Sequence, residues 1–147
     1  MKKFKFLAMA IIASVAFSCS SDSDSGPAPT IVGKWNLSKT VSTVAGATDT
    51  QPYTDNEVGC DKDYVEFVTG GTLKNIVFFK NAQSICTEDA GEQGTWTQAN
   101  NALNITGGEF EGTYQVAKLS NSELRITASS TVGGAPVTVT YYFNKAS

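Results

Sequence analysis

From Ile31 onward, apolar and polar residues alternate in short runs that end at turns rich in glycine or asparagine. No window has the i, i+3, i+4 apolar spacing of an amphipathic helix. Eight strands are predicted: 33–43, 63–68, 72–80, 94–98, 102–106, 109–119, 123–130 and 137–145. In the first, Trp35, Leu37 and Val41 share one face, and Asn36, Ser38, Thr40 and Ser42 share the other. The turns at Gly70-Gly71, Asn100-Asn101, Gly107-Gly108, Asn121-Ser122 and Gly133-Gly134 use residues that tolerate positive φ, as hairpins need. Residues 44–62 and 81–92 lack an apolar pattern and read as long loops. Short turns make sequence neighbours pair. The expected fold is therefore all-β, an eight-stranded antiparallel up-and-down meander barrel, since closure removes the exposed edges of an open sheet.

The inward set includes Trp35, Leu37, Val65, Phe67, Leu73, Val77, Phe79, Trp96, Tyr114, Val116, Ile126, Tyr141 and Phe143. The third strand is ambiguous, because Ile76 and Phe78 occupy its other face. Lys74 and Lys80 share that face, which predicts that it points outward with Phe78 as an exposed aromatic.

The first 18 residues stand apart. Lys2, Lys3 and Lys5 precede an apolar run from Phe6 to Phe17, the pattern of an export signal. Ala16-Phe17-Ser18-Cys19 resembles a bacterial lipobox, which implies cleavage before Cys19 and acylation of its thiol. Residues 19–30 then form the lipidated cysteine and a polar, acidic, disordered tether, and 31–147 the barrel domain. Acyl chains hold such a domain on a membrane at about 0.8 kcal/mol per buried CH₂, anchored and not spanning. The acidic run after Cys19 resembles the surface-export signals of Bacteroidetes lipoproteins. The implied address is the bacterial outer membrane, cell-surface exposed or facing the periplasm.

The formal charge of −3 includes the three lysines of the signal; without them eight basic residues face 14 acidic ones. An acidic domain without a basic cluster argues against nucleic acid as a partner. It is expected to be a monomer. With Cys19 assigned to lipid, Cys60 and Cys86 are the remaining pair for an intramolecular disulfide in an oxidising compartment.

Gly33-Lys34-Trp35 resembles the Gly-x-Trp opening of the lipocalins. The wider pattern adds Cys60-Asp-Lys-Asp-Tyr-Val-Glu-Phe67, Gly71-Thr-Leu73, Cys86, Gly94-Thr-Trp96 and Thr140-Tyr-Tyr-Phe143, and is similar to lipocalin-like lipoproteins of Bacteroidetes. The resemblance implies a calyx and small hydrophobic cargo. If the first strand rises from the closed end as in lipocalins, both cysteines fall at the mouth, with Gly70-Gly71 at the base. The candidate barrel lining is Trp35, Leu37, Phe67, Asn75, Val77, Phe79, Trp96, Tyr114 and Tyr141. An eight-stranded barrel either fills with its own side chains or holds one small ligand. Two functions are open: a lipoprotein binding a small hydrophobic or amphipathic molecule in the barrel, and a filled barrel docking another protein through its mouth loops or the Phe78 face.

No enzyme is expected. The chain has no histidine, which excludes a Ser-His-Asp triad and Cys-His catalysis. Glu109 and Glu111 beside a Gly-Gly turn read as solvated. Asp55, Glu57, Asp61 and Asp63 match no EF-hand spacing and form, with Glu88, Asp89 and Glu92, an acidic rim. No metal or cofactor is expected.

Overall fold

The computed structural model describes residues 28–91 and 93–147. The export signal, Cys19 and most of the tether lie outside the described residues, as does Glu92.

Ten strands form one antiparallel sheet: β1 (Gly33–Val44), β2 (Ala47–Pro52), β3 (Tyr64–Phe67), β4 (Thr72–Lys80), β5 (Cys86–Ala90), β6 (Gly94–Ala99), β7 (Ala102–Thr106), β8 (Gly112–Leu119), β9 (Glu123–Val132) and β10 (Ala135–Lys145). The path β1-β3-β4-β6-β7-β8-β9-β10 closes through the β10–β1 ladder, giving the expected eight-stranded barrel. The other two strands, β2 and β5, stand outside that ring and occupy the segments expected to be loops. After the turn at Ala45 and Gly46, whose φ values of 47° and 88° suit a two-residue hairpin, β2 pairs back on β1 from Ala47 to Pro52. Similarly, β5 pairs with the mouth half of β4, from Cys86↔Lys80 to Ala90↔Ile76. All six β2 residues are exposed, so no apolar alternation marks it. Pro52 and Asp49 on β2 and the acids of β5 disfavour pairing with another chain at these free edges.

A bulge corrects the expected facing of β1. The β1–β10 register shifts between Leu37 and Lys39, so Ser38 is the extra residue. One inserted residue moves every later side chain to the other face. Trp35 and Leu37 point inward, but beyond Ser38 Thr40 lies opposite Tyr141 on the inner face, and Val41 lies opposite Thr140 on the outer one. The mouth half of β1 therefore lines the barrel with hydroxyls.

The core lies in the lower half of the barrel. Trp35, Leu103 and Leu124 are fully buried, and Phe67, Ile126 and Phe143 nearly so. Each such side chain stabilises the fold by about 1.5–3 kcal/mol through apolar burial. The Gly-x-Trp opening has a physical cause here. The Trp35 Nε1 donates to Ile31 O at 2.7 Å, while Lys145 Nζ sits 4.2 Å above the indole and donates to Val32 O at 3.0 Å. Gly33 adopts φ +121°, and a Cβ there would stand 2.5 Å from Lys145 Nζ, so glycine lets this lysine close the base.

Candidate functional site

Two regions carry the site candidates: the barrel mouth and a groove on the outer wall. The mouth is tied by the Cys60–Cys86 disulfide, with Cα atoms 5.6 Å apart. It joins the segment between β2 and β3 to the start of β5, so both cysteines share one end as expected, although Cys86 stands on a strand and not in a loop. Lys80 reinforces the joint, donating to Val58 O and pairing with Glu57 at 3.8 Å.

The base and middle of the barrel are packed, whereas Val77 and Phe79 toward the mouth of β4 are half-buried and exposed. Phe110, on the turn between β7 and β8, packs edge-on to Tyr141 at 5.5 Å and to Phe143 at 5.8 Å. Tyr114 fixes that turn by donating its hydroxyl to Phe110 O at 3.0 Å, and burial pushes its phenol up to about 12. Between Leu37, Val65, Asn75 and Phe110 a depression of about 20 Å³ remains, enough for roughly one water.

The residues expected to line the barrel separate into groups. Leu37 and Asn75 border the depression, and Tyr114 and Tyr141 surround Phe110. Asn75 donates to Glu109 Oε2 at 2.7 Å. Trp35 and Phe67 are packed at the base, where Phe67 meets Trp96 edge-on at 5.5 Å, and Trp96 Nε1 donates to Val68 O and Thr72 O. Val77 is half-buried, and Phe79, near the top of β4, is 41% exposed.

Asp63 is the residue that sequence reasoning missed. Its spacing places it in the acidic rim, yet it is 6% exposed and every polar group it has is bonded. Its carboxylate accepts from Tyr53 Oη and from Phe78 N, both at 2.7 Å. Its backbone N donates to Asn56 Oδ1 at 2.9 Å, and its carbonyl accepts from Asn36 Nδ2 at 2.8 Å. Burial, and then the Asp63 carboxylate, hold the Tyr53 phenol above its ordinary value. A signal was available: Asp63 has the same parity as inward Val65 and Phe67, so the alternation aims it into the mouth.

Outside the barrel wall an open groove of about 740 Å³ runs over β1, β3 and the mouth half of β4. Tyr53, Tyr64 and Phe78 are its aromatic residues, the last two with ring centroids 6.2 Å apart and planes tilted by 46°. Phe78 thus points outward as expected, but it is half-buried, and Ile76 beneath the same face is 3% exposed between its strand partners Tyr64 and Ala90. Apart from Leu37 and Ala146 the remaining lining is polar and includes Asn36, Asn56, Lys62, Glu88 and Asn144. Lys34 Nζ donates to Tyr64 Oη at 3.0 Å and lies 4.3 Å over its ring; that hydrogen bond raises the lysine pKa despite some desolvation. Among the described residues no group of three or more His, Cys, Asp or Glu could hold a metal ion.

Residues 31–126 match a family model described as a lipocalin-like domain. No curated protein matches the chain.

Proposed function

We propose, from the premise that the chain belongs to the lipocalin-like domain family, that it is a lipid-anchored binding module of a bacterial outer membrane, in which the packed barrel is a scaffold and recognition lies on its outer wall. One contrast supports this reading. The depression beside Phe110 holds about 20 Å³, whereas the groove at Tyr64 and Phe78 is about 740 Å³, within the usual range of small-molecule sites. Cys19 in its lipobox-like setting is the acylated residue, and residues 20–30 are the tether that carries the domain to the cell surface. The protein acts as a monomer and performs no catalysis.

The test is competitive. Binding of its cognate ligand by intact cells should be lost in a Tyr64→Leu/Phe78→Leu variant with an unchanged melting temperature. Cys19→Ala should release the protein from the membrane fraction. Ligand capture that survives the double variant sinks the groove reading.

A second reading follows from Phe110. Lipocalin barrels hold one small ligand, and here a single side chain on a turn flanked by Gly107, Gly108 and Gly112 occupies the interior against Tyr141 and Phe143. Were Phe110 displaced, Leu37, Asn75, Tyr114 and Tyr141 would face a small hydrophobic or amphipathic guest. Native mass spectrometry of membrane-extracted protein decides this: a co-purified apolar molecule supports it, and an empty barrel in both the wild type and Phe110→Ala refutes it.

A further inference from the structure

Taking the outer-wall reading as its premise, we infer that the groove binds a neutral oligosaccharide, with Tyr64 and Phe78 as its stacking surface and the amides of Asn36, Asn56 and Asn144 as its hydroxyl readers. The aromatic pair is the first ground. An aromatic face carries the negative end of the ring quadrupole and attracts polarised C–H groups, which a pyranose ring presents on its faces. The two ring planes are tilted by 46° with centroids 6.2 Å apart. Such a surface follows a twisted chain of sugars better than it stacks one flat heteroaromatic ring.

The second ground is the polar lining. A side-chain amide offers both donors and an acceptor, which matches a sugar hydroxyl that also donates and accepts. Asn36 spends its Nδ2 on Asp63 O, which leaves Oδ1 as an acceptor toward the groove. Asn56 spends its Oδ1 on Asp63 N, which leaves Nδ2 as a donor. The pair therefore presents one acceptor and one donor, each oriented by the buried Asp63. Asn144, opposite Asn36 across the β1–β10 ladder, is exposed at the same wall.

Charge selects against the alternatives. Lys34, Lys62 and Lys145 are interspersed with Asp61 and Glu88 around the groove, so the field there has no single sign to hold a phosphate or a polycation. An apolar guest would leave the lining amides and ammonium groups desolvated without partners. A protein partner is disfavoured by the concave, largely polar form, because interface cores are apolar and depleted in charge.

The experiment titrates the anchored protein in detergent with a set of neutral hexasaccharides (maltohexaose, cellohexaose, mannohexaose, xylohexaose) and with hexagalacturonate as the acidic control. Calorimetry gives affinity, and NMR follows the side-chain amides of the three asparagines. The expected result is binding of at least one neutral hexasaccharide, shifts in those amide resonances, and about tenfold weaker binding in Tyr64→Leu and in Phe78→Leu with unchanged melting temperatures. The amide shifts need no variant, so a folding defect does not blunt the test. Absence of neutral binding, or a preference for hexagalacturonate, overturns the saccharide assignment. If the double variant still loses its cell-surface ligand in that case, the groove reading stands while this inference falls. Saccharide binding that persists in both leucine variants and leaves the amides unshifted overturns the inference by placing the sugar elsewhere.

Discussion

Replacing Asp63 with alanine should cost more stability than any surface change at the mouth. The carboxylate accepts two hydrogen bonds, from Tyr53 Oη and from Phe78 N, each at 2.7 Å. Hydrogen bonds to a charged acceptor contribute about 1.5–3 kcal/mol each. Tyr53 is only half-buried and regains water readily, which discounts its share. Phe78 N lies on a stretch of β4 whose partner strand β3 ends at Tyr64, so Asp63 Oδ1 is the acceptor that continues the ladder there. The expected loss for Asp63→Ala is about 3 kcal/mol, a large fraction of a typical stability of about 5–15 kcal/mol. Asp63→Asn keeps an oxygen for Phe78 N and can offer its amide to Tyr53 Oη, so its loss should be about 1 kcal/mol. Urea unfolding followed by Trp35 and Trp96 fluorescence measures both, and a cycle with Tyr53→Phe should return a coupling of about 1 kcal/mol. A loss below about 0.5 kcal/mol for Asp63→Ala would show that water replaces the carboxylate fully, and the hub described above would not exist.

Two further outcomes are expected. Reducing Cys60–Cys86, which are 26 residues apart, should lower stability by about 3.5 kcal/mol in the chain-entropy model, and local hydrogen exchange should rise first at residues 57–62 and 85–90; a rise that begins in β9 instead would contradict the clamp at the mouth. Tyr114, pushed up to about 12 chiefly by burial, holds its proton more tightly when folded than at its ordinary value of 10.0, so the barrel should lose stability as pH rises from 10 to 12. Phenolate absorbance on a pH series checks this, and an unchanged profile in Tyr114→Phe would assign the loss to another group.

The ring of eight strands was legible because its information is short-range. Alternation marks the inner face, and the Gly and Asn pairs mark the turns. What was not legible depends on pairing. β2 has no apolar residue beyond Ala47 and Pro52, and it exists because β1 offers it a free edge above the point where β3 ends. The bulge at Ser38 has no compositional mark either, since serine is ordinary in a strand, and it moved Val41 from the expected inner face to the outer one. Phe110 packs inside against Tyr141 and Phe143 from the β7–β8 turn, a placement that strand alternation does not encode. The groove was invisible for a different reason: its walls are residues of β1, β3, β4 and β5 together with residues of the 53–63 segment and of the C-terminal stretch 144–147. In the sequence these read as an ordinary solvated surface.

Asp63 links these observations in one physical argument. Its side chain completes the mouth edge of β4 at Phe78, and its two backbone groups hold Asn56 and Asn36, so one buried residue fixes the aromatic wall and two amides of the groove together. A site built on strands and locked by such bonds is preorganised, and a ligand binding there pays little to order it. The same hub separates inside from outside, because Asp63 also borders the small depression near Phe110. The packing of Val65 into the core gives this wall a rigid backing, whereas an interior that opened for cargo would loosen Val65 and Asp63 together. Packing of the core and precision of the outer groove are therefore coupled properties of β3. The coupling predicts that substitutions enlarging the space around Phe110 weaken groove binding even though they touch none of its walls.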